Sequence, residues 1–485
     1  MNARAKIEFG DFQTPPDLCE QVCRTLIKLG VKPQTIIEPT CGLGNFIKAA
    51  NNHFARVDRI IGLEINKAHF SHIGSQSFKA RTDIINGNFF TFNWEQFLAA
   101  VSEPILFIGN PPWVTNSELS SLGSANLPEK QNFKGLRGFD ALTGKSNFDV
   151  SEWMILKLVK LLQEKSGVVA MLCKTSVARQ ALAYLWKHDL SISDARIYRI
   201  DSKKHFDVSA DACLLVITVN GYSKSSENSC LIFDSLQAAA PSQSMGFMDE
   251  GLVSNMDDYR ALRYLRTSSP TAFRWRSGIK HDCSKVMELE RIGDNLYING
   301  LGERTVLESA FLYPMLKSSD IGNGSLRPPR KYMLVTQMNV GDSVDKIRDT
   351  APKTWDYLLA NRHLLDARKS TIYKKNPPFS IFGVGDYSFS PWKVAISGFY
   401  KRTHFKVVPP HEDGPVVVDD TIYFLPCLHE KEATHLASLL NSPEAQRYLN
   451  SLIFMDAKRP ITTDLLSKLN IKTLTEKNPA STIAA

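Results

Sequence analysis

The segment Asn110-Pro111-Pro112-Trp113 combines hydrogen-bond acceptors with a flat aromatic ring. Proline fixes its backbone φ angle and has no N–H, so two consecutive prolines form a rigid loop whose carbonyl groups remain as acceptors. The Asn110 side chain adds an acceptor oxygen, and the indole of Trp113 offers a large face for stacking. These groups suit a planar ring with an exocyclic amino group. We therefore predict that the four residues form a reacting centre.

A second chemical feature lies upstream, where Gly42 and Gly44 stand one residue apart in the segment 38–46, EPTCGLGNF. Glycines between a strand and a helix let the backbone turn tightly and approach a ligand closely. The dinucleotide fingerprint GxGxxG is incomplete, because Ile47 occupies the place of the third glycine. This argues against a nicotinamide cofactor. An ordinary strand-to-helix turn is the alternative interpretation.

Two further apolar runs end in residues that suit a nucleoside. Glu64, followed by Ile65, ends the second run, and a carboxylate there can accept hydrogen bonds from both ribose hydroxyls. A solvated charge at a strand end is the alternative. The third run leads into Asn88 and Phe89, where a polar side chain and an aromatic ring could read and cover an adenine.

These segments follow strands that alternate with helices. The predicted strands cover 35–38, 59–65, 82–86, 104–109, 168–173, 195–200 and 212–219, and the predicted helices cover 46–53, 66–75, 94–101, 151–165 and 176–189. Apolar strands alternating with helices predict an α/β fold with a mostly parallel, doubly wound sheet covered on both faces. Such sheets bind ligands beyond the carboxyl ends of their strands, where all four segments fall.

The chain divides into three parts by composition. Residues 1–225 carry the alternating pattern, and 246–485 lack regular alternation. Residues 226–245 are rich in Ser, Asn and Ala and are predicted to be a connector, in which 231–233 is a candidate strand. The last part has strand-like pieces and two helical stretches, 354–367 and 432–451, which predict a mixed α+β domain.

Together the motifs resemble the S-adenosylmethionine-dependent amino-methyltransferases of DNA, in the gamma order with the cofactor motif before NPP[YFW]. The resemblance covers nearly all of residues 8–220 and is specific at the NPPW and EPTCGLGNF segments. The chain is similar to the TaqI-like N6-adenine enzymes of restriction-modification systems. It implies a Rossmann-like, seven-stranded methyltransferase domain at 1–225. It also implies S-adenosyl-L-methionine as cofactor, with 12–15 as the N-terminal cofactor motif, whose Thr14-Pro15 pair touches the methionine end.

The resemblance assigns roles residue by residue. It implies cofactor binding by Thr14, Pro15, Glu38, Pro39, Thr40, Cys41, Gly42, Gly44, Phe46, Glu64, Ile65, Asn88, Phe89 and Asn110. It implies catalysis by Asn110, Pro111, Pro112 and Trp113, and stacking of the target base between Trp113 and Phe206. Asn88 stands where the family usually has Asp. Residues 167–174 resemble the strand of the family's sixth motif, and a core position is the alternative for Phe206.

The region 370–405 mixes basic and aromatic side chains. It holds nine aromatic and five basic residues against a single acid, a composition that suits phosphate and base contacts, although a β-rich core is the alternative for each residue. It looks like part of the target-recognition domain of TaqI-like enzymes, which we place at 246–485. The predicted DNA-binding residues are Arg368, Lys369, Tyr373, Lys374, Lys375, Lys393, Lys401, Arg402, Lys458 and Arg459.

The predicted function is methyl transfer to the N6 amino group of an adenine flipped out of double-stranded DNA, in a restriction-modification or phage-defence setting. N4-cytosine DNA methylation is the main alternative, and RNA or protein-glutamine N-methylation follows. A DNA-binding protein with a degenerate cofactor fold is a non-enzymatic alternative. Because about ten residues precede the first motif, we expect a stand-alone methyltransferase whose partners are double-stranded DNA and a separate restriction endonuclease.

Composition excludes other classes of protein. Of 485 residues, 43% are hydrophobic and 22% charged, which is typical of a globular protein, and the net charge of +8 permits a polyanionic partner. The eight cysteines form no CxxC pair and the eleven histidines no HxxxH pair, so no metal site is expected. No apolar run reaches membrane-spanning length and no secretory signal is visible, so we expect a cytoplasmic protein without membrane contact.

Overall fold

The computed structural model describes residues 13–115, 149–221, 227–249, 251–267, 273–323 and 326–477. The chain divides into two compact units, Met1–Met256 and Asp257–Ala485. Within the described ranges, no helix is long and apolar enough to cross a membrane. Of the predicted N-terminal motif at 12–15, Phe12 lies outside the described residues.

One sheet organises the first unit. Its described strands are β1 (Thr35–Glu38), β2 (Arg59–Glu64), β3 (Arg81–Asn86), β4 (Ile105–Gly109), β5 (Ser166–Lys174), β6 (Asp194–Ile200), β7 (Ala212–Asn220), β8 (Ser229–Phe233), β9 (Gln243–Met248) and β10 (Gly251–Val253). Across the sheet they lie in the order β10-β9-β8-β6-β7-β5-β4-β1-β2-β3. Strands β1 to β5 pair in parallel, and β7 runs antiparallel between β5 and β6. The predicted α/β fold is confirmed.

Helices connect the strands of this sheet. Those described are α1 (Pro16–Lys28), α2 (Asn45–His53), α3 (Lys67–Gly74), α4 (Trp94–Ala99), α5 (Val150–Leu161), α6 (Thr175–Lys187) and α7 (Ser202–Phe206). All residues of β1 and β4 are buried, which is the burial expected of strands covered on both faces. Helix α1 was not predicted, although Pro16 at its first turn and the buried face through Leu18, Val22 and Leu26 have helical spacing.

Strand register places the predicted chemistry on one edge of the sheet. Glu38, the last residue of β1, pairs with Gly62 in β2, and Glu64 pairs with Asn86 in β3. Strand β4 pairs with β1 on the other side and ends at Gly109, directly before Asn110. Because the strands are parallel, the loops that follow all four emerge at the same edge.

The structure differs from the prediction at 226–245. Instead of a connector, Ser229–Phe233 and Gln243–Met248 form β8 and β9, which extend the seven-stranded sheet to ten described strands together with β10. The cause is the apolar content of β8, which pairs with β6, and Phe233 stacks on Tyr198 with ring centroids 4.5 Å apart. The first unit accordingly extends to Met256, past the predicted boundary at 225.

The second unit has mixed α+β structure. Its described strands are β11 (Arg276–Ser277), β12 (Glu288–Gly293), β13 (Leu296–Asn299), β14 (Arg304–Val306), β15 (Leu312–Leu316), β16 (Lys331–Leu334), β17 (Trp392–Ser397), β18 (Lys406–Val408), β19 (Val417–Val418) and β20 (Ile422–Cys427). They form a six-stranded sheet, β14-β13-β12-β16-β15-β19, and a four-stranded sheet, β11-β20-β17-β18. One cluster of buried apolar side chains packs mainly on the six-stranded sheet, and a second contains residues of both sheets, among them Leu316 and Phe424.

Short helices surround these two sheets. They are α8 (Met256–Ala261), which spans the unit boundary, α9 (Ser284–Met287), α10 (Ser318–Gly322), α11 (Asp345–Thr350), α12 (Pro352–Ala360), α13 (Arg362–Asp366), α14 (Glu430–Leu440), α15 (Pro443–Asn450), α16 (Thr463–Leu466) and α17 (Ile471–Lys477). The helical stretch predicted at 432–451 is two helices. Pro443 cannot donate a backbone hydrogen bond to the preceding turn, and Ser442 begins α15 as its N-cap.

Candidate active site

A cavity lies beyond the carboxyl ends of β1, β2, β3 and β4. Its empty volume, which includes space open to solvent, is about 820 Å³. Eleven of the fourteen residues predicted to bind a cofactor line it, together with Pro112 from the predicted catalytic group. The eleven are Thr14, Glu38, Pro39, Thr40, Cys41, Gly42, Phe46, Glu64, Ile65, Phe89 and Asn110. Pro15, Gly44 and Asn88 do not line the cavity.

The glycine turn between β1 and α2 forms one wall of the cavity. Gly42 and Gly44 have φ angles of 52° and 78°, in the left-handed region that glycine tolerates. A Cβ atom on Gly42 would lie 2.7 Å from Oε1 of Gln13, which accepts a hydrogen bond from the Leu43 N–H at 2.9 Å. A Cβ on Gly44 would instead meet Ile73 at 3.2 Å, so Gly44 serves the turn and the packing of α3.

Glu64 is held in place by backbone donors. Its Oε2 accepts from the Gly42 N–H and its Oε1 from the Asn66 N–H, each at 2.7 Å. An ionised carboxylate has about four acceptor positions, so this side chain can be oriented by the protein and still accept further hydrogen bonds. The carboxylate thus ties the end of β2 to the glycine turn while it lines the cavity.

Glu38 is a buried carboxyl on the same cavity. Its Oε2 has no hydrogen-bond partner among the described residues, and neither does the hydroxyl of Thr40. Burial raises the pKa of Glu38 well above its usual range, the charge of Glu64 adds to this, and a backbone hydrogen bond from Ile47 opposes it. A buried polar atom without a partner is costly, so these two side chains indicate a bound polar group.

Asn88 lies apart from the cavity. Its Oδ1 accepts from the Phe90 N–H at 2.9 Å, which makes it part of the turn that follows β3. The neighbouring aromatic residues do line the cavity: Phe89 is buried against Trp94 and Trp153, with ring centroids 5.2 and 5.9 Å away. Of the two residues predicted to contact an adenine, Phe89 lines the cavity and Asn88 does not, and Phe90 lines it as well.

A second cavity adjoins the diproline corner after β4. Its empty volume is about 490 Å³, and its walls are Asn110, Pro111, Trp113, Lys174, Phe206, Val208 and Ala210. Asn110 lines both cavities, whereas Pro112 lines the first and Pro111 the second. A ligand in the larger cavity and a ligand in the smaller one would both contact Asn110.

Trp113 and Phe206, predicted to stack on a base, contact one another directly. Their ring centroids are 5.2 Å apart at an interplanar angle of 61°, an edge-to-face arrangement. A base sandwiched between two rings needs them roughly 7 Å apart, because each stacking contact takes about 3.5 Å. The indole is tied to β5 through a hydrogen bond from its Nε1 to the carbonyl of Leu172. Phe206, at the end of α7, is the ring that would move.

Several lining residues were not among the predicted site residues. In the first cavity these are Gln13, Asn45, Leu63, Asn66, His69, Gly87, Phe90 and Met154, and in the second they are Lys174, Val208 and Ala210. Asn45 anchors the N-terminal motif, since its Nδ2 donates to the carbonyl of Thr14 at 2.8 Å. Lys174 carried a signal in the sequence, because it directly follows the predicted strand 168–173, at the carboxyl end where such sheets bind ligands.

Two of the predicted DNA-binding residues are buried in the second unit. Arg368 donates to the carbonyls of Leu365, His281 and Ser380 at 2.7, 3.2 and 2.8 Å. Lys393 is 1% exposed, its Nζ donates to the carbonyl of Ser390 at 2.6 Å, and burial lowers its pKa to about 7. Neither can reach a phosphate from these positions, so both predictions are corrected: the two cations are structural.

The remaining predicted DNA-binding residues are accessible. Tyr373 and Arg459 are half-buried, and the exposed ones are Lys369, Lys374, Lys375, Lys401, Arg402 and Lys458. A chain of contacts connects the two half-buried residues. The guanidinium of Arg459 lies 4.8 Å from the ring of Phe399 and 3.8 Å from the carboxylate of Asp420. Asp420 in turn lies 3.9 Å from Lys280, whose carbonyl accepts from the Tyr373 hydroxyl at 3.5 Å.

We name this set the basic-aromatic surface and define it as residues 369–375, 399–402 and 458–459. The contacts through Asp420 and Lys280 make its three sequence segments neighbours in space. Elsewhere in the described part of this unit, His411, Glu412 and Asp413 form a group of potential metal ligands, but Asp413 already accepts from Arg291 at 3.1 Å.

Comparison with known proteins gives one full-length relative. No protein-family model matches the chain. This chain is 44% identical over 474 residues to M.NspV of Nostoc sp., a type II methyltransferase. The alignment covers 97% of this chain and 98% of the relative. The type II methyltransferase M.CvrRI of Paramecium bursaria Chlorella virus XZ-6E is 32% identical over 117 residues, 24% of this chain and 27% of that protein.

A solved structure extends the likeness of fold to the whole chain. The type IIL restriction-modification enzyme MmeI, solved in complex with DNA, aligns with a TM-score of 0.55 at 13% sequence identity. The alignment covers 100% of this chain and 78% of MmeI. The two chains thus share a fold across both units.

Proposed function

The chain belongs to the type II methyltransferases, which are S-adenosylmethionine-dependent DNA methyltransferases of restriction-modification systems, and on this premise we propose that it methylates the N6 amino group of adenine. The adenine is flipped out of double-stranded DNA into the cavity beside Trp113. The observation that supports the proposal most is that Asn110 lines both cavities, because methyl donor and amino acceptor must meet at one point.

The first cavity fits S-adenosylmethionine. The partnerless oxygens of Glu38 and Thr40 suit the ammonium and carboxylate of its methionine part. The backbone-held carboxylate of Glu64 suits the ribose hydroxyls, and the apolar wall of Ile65 and Phe89 suits the adenine. When bound, the donor supplies a methyl group that its sulfonium charge has already activated.

Asn110 and Pro111 act on the amino group of the target base. The lone pair of that nitrogen is delocalised into the ring, so the base is a weak nucleophile. Hydrogen bonds from the amino group to the side-chain oxygen of Asn110 and the carbonyl of Pro111 favour a more tetrahedral nitrogen with a localised lone pair. Asparagine cannot take a proton, so catalysis here is electrostatic and positional.

Trp113 and Phe206 hold the everted base. Flipping costs a few kcal/mol of stacking and pairing, and stacking on an aromatic side chain offsets about 1–3 kcal/mol. Because the ring centroids are only 5.2 Å apart, no base fits between the two rings, and Phe206 moves aside as the base enters. The Trp113 indole, anchored to Leu172, provides the fixed face.

The basic-aromatic surface of the second unit contacts the DNA. Its exposed lysines and arginines neutralise phosphates, and the half-exposed Phe399 ring beside Arg459 presents an apolar face to the duplex. MmeI, which shares the fold, was solved in complex with DNA. The proposed cellular setting includes a separate endonuclease that cuts the same site when it is unmethylated.

Mass spectrometry of nucleosides tests the proposed function. DNA from a host without methyltransferases is incubated with the protein and isotopically labelled S-adenosylmethionine, then digested to nucleosides. The proposal expects labelled N6-methyladenine. Labelled N4-methylcytosine would establish the main alternative, which uses the same amino-group chemistry. Label confined to added RNA or to protein, or no label at all, would overturn both.

A further inference from the structure

Lys174 occupies a position in the second cavity that the proposed mechanism does not use. It is the last residue of β5, and its side chain is 29% exposed and lines the cavity beside Asn110, Pro111 and Trp113. Its Nζ donates to the carbonyl of Trp113 at 3.2 Å and to Oδ2 of Asp149 at 2.8 Å. One ammonium group thus connects the diproline corner to the first residue before α5.

The corner needs such a connection. Pro111 and Pro112 have no N–H, so neither can donate a backbone hydrogen bond that would fasten the loop after Gly109. Fastening must come from donors elsewhere that reach the carbonyls and side chains of the corner. Among the described residues, Lys174 donates to the Trp113 carbonyl and the Val150 N–H to the Val114 carbonyl at 2.9 Å, and the corner in turn donates through the Trp113 indole to the Leu172 carbonyl.

Asp149 holds the ammonium in place. Its side chain is 9% exposed, and its Oδ1 accepts from the Ser151 N–H at 3.1 Å as the N-cap of α5. It also forms a β-bridge with Thr115, so it is fixed to the chain on the far side of the corner. Because Asp149 is fixed in this way, its carboxylate holds the Nζ of Lys174 within hydrogen-bond distance of the Trp113 carbonyl.

We propose that Lys174, backed by Asp149, is a positioning residue for the methyl acceptor. It keeps the Asn110–Trp113 corner at the distance from the donor that transfer requires. This inference rests on the proposed function. An ammonium offers three donors, of which the described residues take two, and Lys174 lines the cavity in which the base is proposed to bind. Arginine keeps the charge and donors of this site, whereas methionine keeps only the bulk.

Steady-state kinetics of four variants test the role. Total DNA from a methylation-free host and labelled S-adenosylmethionine serve as substrates. Lys174→Met lowers kcat roughly 10- to 100-fold, the range expected when reacting groups are misplaced by about 1 Å. Its KM for S-adenosylmethionine stays within about twofold, because Lys174 does not line the first cavity. Lys174→Arg recovers most of the lost kcat.

Two further variants separate positioning from folding. Asp149→Asn keeps a capping oxygen for α5 but removes the charge, and its kcat falls between those of the wild type and Lys174→Met. Lys187→Met, at the exposed end of α6, leaves kcat unchanged. Calorimetric titration with S-adenosylhomocysteine confirms that each variant is folded. A Lys174→Met kcat within twofold of wild type, or equal losses in Lys174→Met and Lys174→Arg, overturns the inference, whereas an inactive wild type overturns the proposed function instead.

Discussion

The strand-end edge of the first unit and the segment 370–405 of the second unit are both rich in candidate functional residues, but the fold treats them differently. At the edge, Glu38, Glu64 and Asn110 come together although they are far apart in sequence, because parallel strands end on the same side. In the second unit, residues of one type and one sequence segment are divided between core and surface: Lys393 is buried, whereas Lys401 is exposed.

The difference shows which kind of sequence signal is reliable. A motif tied to the end of a strand has its position set by local pattern and topology together. A composition, such as basic and aromatic residues in alternation, describes a stretch of chain without saying which side chains the core will take. Variants in both regions test this contrast.

Asn110→Ala removes the side chain that both cavities share. We expect methyl transfer to fall at least about 10²–10³-fold, the usual loss when a hydrogen-bonding group of the transition state is deleted. Affinity for S-adenosylhomocysteine, measured by calorimetry, changes little. Asn88→Ala is the matched control, because Asn88 lies outside the cavity and serves a turn. Equal activity of the two variants would contradict the assignment of the edge.

Arg368→Met tests whether a cation from the DNA-binding list belongs to the core. It leaves the carbonyls of Leu365, His281 and Ser380 without their donor, and we expect a loss of about 3 kcal/mol in the free energy of unfolding, measured in urea. Arg402→Met, at an exposed position, leaves stability unchanged and lowers the salt slope of DNA binding by about one. Unchanged stability in Arg368→Met, or a loss of stability in Arg402→Met, would contradict the assignment of Arg368 to the core and Arg402 to the surface.

Lys393→Met tests the contrast between core and surface through the pH dependence of stability. Burial lowers the pKa of Lys393 to about 7 from a usual 10.5, so the unfolded chain binds more protons than the folded one between these values. Stability of the wild type therefore rises with pH across this window, by an amount of the order of a few kcal/mol, and the variant lacks this rise. Thermal melts from pH 7 to 10 provide the measurement. Parallel curves for the two proteins would refute the buried position.

Glu38→Gln tests the partnerless carboxyl at the strand-end edge. The pKa of Glu38 is raised, so binding of a cationic ammonium at this site releases a proton, and affinity for S-adenosylmethionine rises with pH above the ordinary carboxyl range. The variant binds roughly tenfold more weakly and without that pH dependence. Its ligand-free form is more stable than the wild type at neutral pH, because above pH 4.5 the unfolded wild-type chain ionises Glu38 while the folded chain keeps the proton, and this difference favours unfolding. Calorimetry in two buffers measures the proton release.

Much of the first unit was predictable because hydrophobic pattern and strand ends are local. The seven strands of its central sheet lie within two residues of their predicted bounds, and the glycine turn and Glu64 reach the cavity as expected. Asn88 does not line the cavity, because its side-chain oxygen accepts a hydrogen bond from the Phe90 N–H two residues later. Strand β8 was predicted only as a candidate strand at 231–233 inside a connector, because its short apolar run lies between polar stretches; pairing with β6 makes it part of the sheet.

The sequence by itself determined the α/β pattern, the diproline corner and the glycine turn, since each depends on the conformational limits of nearby residues. Tertiary structure alone decided that Arg368 bonds to a carbonyl 87 residues away and that Lys174 meets Asp149 and Trp113. Burial and hydrogen bonding are settled between elements distant in sequence. A residue's type therefore states which interactions it can make, and the packed fold selects among them.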